Sequence, residues 1–235
     1  LVIKFSKQQF ETFESDAADR WDRETGQSLL DLYPSHMASL GVSPDQAVAF
    51  VRTVREYALP YQVTTKRDTY KLVIIAMSLG AHFPHDPRFA QAVSATLGQL
   101  SIPQDRRLIL LADHVANHLQ ECWSGKGLGA IGGELVACLQ PALTPEETLD
   151  RLASRHPGIV RSVARQAMLT ACLAQADGYG LQDPQHRTAY LGAAAIHGVY
   201  WFDNPLMARL RQIVEDTENI DDLCQKLAQF YEGFA

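Results

Sequence analysis

A chain of 235 residues, 46% hydrophobic and 20% charged, has the make-up of an ordinary globular protein and can bury one large core or two small ones. Its net charge of −6 argues against general nucleic-acid binding, which needs a basic surface to displace counterions from phosphates. No apolar run approaches the ~18 residues of a membrane span.

The first five residues, Leu1-Val2-Ile3-Lys4-Phe5, are too short for a leader's apolar region, and they are the only candidate strand. Ser6-Lys7-Gln8-Gln9 has capping-box spacing and predicts a helix to about Tyr33. Phe10, Phe13, Ala17, Trp21, Leu29, Leu30 and Tyr33 would form its apolar stripe, with Asp19, Asp22 and other charges on a solvated face, and Pro34 would end it. Ser43-Pro44-Asp45-Gln46 starts a second helix whose buried side is Val48, Phe50, Val51, Val54 and Tyr57, stopped by Pro60. Thr65 caps a third, nearly apolar all round from Tyr70 to Leu79 and so expected at the centre, with Gly80 as a left-handed stop. Asp86-Pro87 reads as the cap of a fourth helix to about Leu100, and Pro103 opens a fifth to about Trp123.

Ser124 to Gly133 holds five glycines in ten residues and reads as a hinge, followed by a short helical piece around Glu134 to Leu139. Thr144-Pro145-Glu146-Glu147 caps the next helix, which Pro157 divides from one running to about Ala176. Asp183-Pro184, Asn204-Pro205 and Asn219 cap three more, the last ending at Phe230 or Tyr231. The predicted class is all-α.

The stretch Tyr61–Pro87 recurs at Tyr179–Pro205, an offset of 118 residues. Tyr61 falls on Tyr179, Ala76 on Ala194, Gly80 on Gly198 and Pro87 on Pro205, while Val63 matches Leu181, Phe83 matches Trp201 and Asp86 matches Asn204. A competing local fit sets Arg67-x-x-Tyr70 on Arg187-x-x-Tyr190, two residues further on. The repeat predicts two similar helical-bundle units, 1–123 and 144–235, joined by residues 124–143 and packed together over a groove, as one domain or two.

Candidate chemistry is sparse. Gly127-Leu128-Gly129-Ala130-Ile131-Gly132 matches GxGxxG but lacks the βαβ setting of a dinucleotide site, and Lys126 precedes rather than follows the glycines. His114 and His118 share a helix face at i,i+4, near Asp113 and Glu121, and could share a metal if His82, His85 or His156 joined them; two polar surface residues are the plainer reading. His82-Phe83-Pro84-His85-Asp86 sets two imidazoles beside a carboxylate, yet Asp86 is expected to act as a cap. Cys122, Cys138, Cys172 and Cys224 lack ligand spacing and read as buried free thiols in a reducing compartment. Arg67-Asp68 and Arg106-Arg107 could meet an anion or a partner, and Trp123, Tyr200, Trp201 and Phe202 could anchor a protein, though a solvated and a core role respectively explain them as well.

Three motifs carry a resemblance. They are the Ile3-Lys4-Phe5-Ser6 opening, Tyr61-x-Val63-Thr64-x-x-Arg67-Asp68-x-x-Lys71, and Leu79-Gly80-x-x-Phe83-x-x-Asp86-Pro87. Over about Ile3 to Ser94 the chain resembles small helical proteins encoded beside spike, adaptor and effector genes in bacterial type VI secretion clusters. It departs from them in having Tyr61-Gln62-Val63 where Tyr-Gly-Ile is usual, and in lacking a Trp soon after the second Pro. The resemblance implies a non-enzymatic, cytoplasmic, protein-binding protein: an adaptor or accessory chaperone for a secreted effector, or else an immunity protein that caps a toxin. It supplies no catalytic residue, cofactor or metal, and leaves the partner-binding residues open. A small helical metal- or ligand-binding enzyme using His114 and His118 is the more distant alternative.

Overall fold

A computed structural model describes residues 6–123, 127–139, 143–156, 158 and 162–234. All regular structure among them is helical, and no helix among them is long and apolar enough to cross a membrane. The candidate strand at residues 1–5, the residues 124–126 and Pro157 lie outside the described residues.

Helix α1 (Lys7–Leu32) lies along α3 (Pro44–Ala58). Gly26 permits the close approach, since a Cβ there would stand 2.9 Å from the Val48 nitrogen. The stripe on α1 differs from the expected one. Phe13 is 55% exposed and Asp22 is fully buried, because Arg55 donates to both Asp22 carboxylate oxygens at 2.8 and 2.9 Å. Pro34 ends α1 as expected, at Leu32. It stands at the first position of a seven-residue helix, α2 (Pro34–Leu40), which places Met37 and Leu40 in the core. The Ser43 capping box forms as expected, with the Gln46 side chain returning to the Ser43 N–H at 2.7 Å.

Helices α4 (Lys66–Leu79) and α10 (Pro184–His197) are central, each fourteen residues long. Thr65 caps the first, and Asp183 accepts two N–H groups at the start of the second. Leu72, Val73 and Ala76 meet the core from α4, and Ala189, Ala193 and Ala194 from α10. Both boundaries of α10 lie 118 residues after those of α4, as do those of the 3-10 turns that follow, Phe83–His85 and Trp201–Asp203. Gly80 and Gly198 end the two helices at φ 99° and 103°, with ψ 147° and 150°. The ψ is not that of the expected left-handed stop; this extended, positive-φ backbone is open to glycine almost alone.

Asp86 and Asn204 also differ from expectation. Asp86 caps no helix: α5 (Ala90–Ala95) starts later and is only six residues long. Asn204 caps a 3-10 turn, Pro205–Met207, before α11 (Ala208–Glu215). Pro103 precedes α6 (Gln104–Trp123) as expected. From Leu128 on, the glycine-rich hinge expected over 124–133 is helix: α7 (Leu128–Leu139) packs on α10 and on the final helix, α12 (Ile220–Glu232). Helices α8 (Pro145–Arg155), with its Thr144 capping box, and α9 (Ser162–Gly178) complete the chain.

Candidate functional site

The ends of α4 and α10 meet in a tight seam. A Cβ on Gly80 would stand 2.6 Å from the His197 carbonyl oxygen, and one on Gly198 would stand 3.1 Å from that of Leu79. Asp86 and Arg88, 1% and 5% exposed in their side chains, clamp this seam. The Arg88 guanidinium donates to Asp86 Oδ2 at 2.7 Å and to the Ala195 carbonyl at 2.7 Å, and the Val199 N–H donates to Asp86 Oδ2 at 2.9 Å. Burial alone would raise the Asp86 pKa; the Arg88 charge and the hydrogen bonds overcome it and hold the carboxyl below its usual range. Asp86 is therefore consumed by structure. His82 is bonded to Tyr57 Oη at 2.5 Å and faces the Asp203 carbonyl at 3.2 Å, while His85 stacks edgewise on Tyr57.

His114 and His118 line a small cavity of about 50 Å3 with Arg88 and Phe89. The His118 ring packs edge-on to Phe89, with Cys122 Sγ 3.4 Å from its Nε2. Among the described residues no three His, Cys, Asp or Glu side chains stand together as a metal site would require. His156 is also buried. All four cysteines are buried as free thiols. In the GxGxxG stretch Gly132 is packed, a Cβ there standing 2.0 Å from Tyr231 Cγ, while Gly127 and Ala130 are exposed. Trp201 and Phe202 belong to the core, and Trp201 donates to the Tyr190 carbonyl at 3.0 Å. Tyr200 is half-buried beside His82; the Trp123 side chain lies outside what is described.

Arg107 was expected near the surface and is 2% exposed. Its guanidinium donates to the carbonyls of Ile102, Leu97 and Tyr61 at 3.0, 2.6 and 2.7 Å. This holds the loop between α3 and α4 from one side. Val63 N–H bonds to the Ala58 carbonyl at 3.1 Å, and Gln104 accepts the Thr64 N–H at 2.9 Å. The pinned loop forms one wall of a surface groove of about 240 Å3, with Leu59, Val63 and Lys66 facing Ala17 and Trp21 of α1. Leu59 is 60% exposed at its edge. Arg55 and Lys66 are its charged lining residues among those described. Arg67 is largely exposed and lies 3.4 Å from the buried Asp68, which Lys71 also meets at 2.9 Å.

A second, larger cavity of about 520 Å3 lies behind the seam, between α2, α4, α10 and the C-terminal residues. No family model, curated protein or solved structure matches this chain.

Proposed function

We propose that this is a non-enzymatic protein-binding protein that docks a partner on the groove between α1 and the loop before α4. The observation that carries it is the apolar groove itself. Leu59 is left exposed on a wall tied down by Arg107, facing exposed Ala17 and half-buried Trp21, and contiguous exposed apolar surface marks interaction sites more often than isolated residues do. The groove is built from part of the motif that carries the resemblance to type VI secretion proteins, Val63 and Thr64 among it. That link favours an adaptor or accessory chaperone for a secreted effector. An apolar segment with an acidic residue placed at Lys66 would fit it, since Arg55 is already paired with Asp22.

The matched spacing of α4 and α10 supports a duplicated helical unit, with the first copy in 1–123 and the second in 144–235. The reciprocal approach of Gly80 to His197 and Gly198 to Leu79 is what a two-fold relation between copies would produce, since those residues correspond under the same offset. In this reading the duplication supplies a rigid frame and the first copy supplies the docking face.

The net charge of −6 favours a second reading, an immunity protein that covers a basic toxin. Co-expression with the neighbouring effector separates the two. An adaptor raises the effector's soluble yield or its loading; an immunity protein restores growth of cells making the toxin. Neither effect with any neighbouring effector would defeat both readings.

A further inference from the structure

The cavity behind the seam has no part in that reading. Its walls are largely apolar, with Leu40, Met77, Leu119, Ile196, Met207 and Phe234 contributing. No Lys, Arg, Asp or Glu is among its described lining residues. A charged ligand would lose its hydration there and gain no counter-charge. Pockets for single small molecules span about 300–1,000 Å3, and this one lies within that range. The two methionines give its wall some adaptability.

Its polar groups are few and placed. Asn204 is 3% exposed and lines the cavity. Its Oδ1 accepts the Leu206 N–H at 3.1 Å, while its Nδ2 donates to no acceptor among the described residues. An amide N–H with no protein partner is open to an acceptor on a bound molecule. The other nitrogen-bearing side chains are His36, packed against Phe234, and His197, whose Nε2 meets the Tyr231 hydroxyl at 3.1 Å. Burial lowers the pKa of both rings, so both stay neutral at pH 7.

We propose that this cavity binds an uncharged, largely apolar small molecule whose carbonyl oxygen accepts a hydrogen bond from Asn204 Nδ2. Such a ligand touches α4 and α10 together and fills the space behind the seam.

The test is a fluorescence titration with 6-propionyl-2-(dimethylamino)naphthalene, a neutral ketone whose emission moves to the blue on leaving water. The expected result is a saturable blue shift at one equivalent. Ser78→Trp, at an exposed position on the rim, should weaken binding by about tenfold or more by filling the mouth. Leu59→Asp, in the separate surface groove, should leave it unchanged. 2-(Dimethylamino)naphthalene, which lacks the carbonyl, should bind wild type about tenfold more weakly. No saturable binding overturns the proposal. Binding that Leu59→Asp abolishes and Ser78→Trp does not overturns its place, and equal binding of the two probes overturns the role of Asn204.

Discussion

His197 lies flat against Tyr231, the ring planes 13° apart, and burial drives its pKa down to about 3. An unfolded histidine titrates near 6.5, so below that pH the unfolded chain takes up a proton that the folded chain refuses. The contribution of His197 is therefore complete above about pH 6.5 and is lost as the pH falls towards 3, at a limiting slope of about 1.4 kcal/mol per pH unit. His36 and His82, also lowered by burial, act with the same sign. Asp86 is held below the usual carboxylate range by Arg88 and so adds nothing between pH 6.5 and 5, where the lowered histidines act. The urea midpoint should fall between pH 7 and pH 5, and His197→Gln should flatten that fall; an equally steep fall in the variant would remove His197 as its cause. Two other residues show what a sequence hides at this scale. Asp22 and Arg107 look like surface charges, since their burial depends on partners distant in the chain, Arg55 for one and the Tyr61 carbonyl for the other.

At the scale of elements, the caps were the most legible feature. Ser43, Thr65, Thr144, Asp183 and Asn219 each bond to backbone two or three residues on, so the information is local. Where a side chain is taken by other groups the reading failed: Asp86 looked like a cap, but Arg88 and the distant Val199 N–H claim its carboxylate, and α5 begins only at Ala90. Helix α7 failed for another reason. Glycine is read as flexibility, yet in α7 Gly132 lets Tyr231 approach the helix backbone. Adjacent glycines separate the two roles. Gly132→Ala drives a Cβ into the Tyr231 ring and should destabilise by about 1–3 kcal/mol. Gly133→Ala, exposed and with nothing within 4 Å, should stabilise by about 0.5–1 kcal/mol. Urea unfolding of the two proteins checks this, and a stabilised Gly132→Ala would return the segment to the role of a hinge.

For the whole molecule, the all-α class was legible from helical periodicity and caps, and the matched positions of α4 and α10 were legible as a recurrence in sequence. The seam was not, because nothing local reveals that Asp86 and Arg88 close onto α10. Removing one member of such a buried pair leaves the other charged and uncompensated. Asp86→Leu should therefore cost about 3–5 kcal/mol, and Asp86→Leu with Arg88→Met should recover part of that loss. A double variant less stable than either single one would show that the pair is not coupled in this way. The groove proposed for docking also belongs to this scale, since α1, the end of α3 and the loop before α4 build it together. The most direct measurement is a pull-down of the chain co-expressed with its genomic neighbours, wild type beside Leu59→Asp, read by mass spectrometry. Leu59 is 60% exposed, so its substitution should change stability by no more than about 0.5 kcal/mol. The expected result is a stoichiometric partner held by wild type and lost from an equally stable Leu59→Asp. A partner held equally by both would contradict the groove, and a wild-type protein that captures none would contradict the protein-binding function.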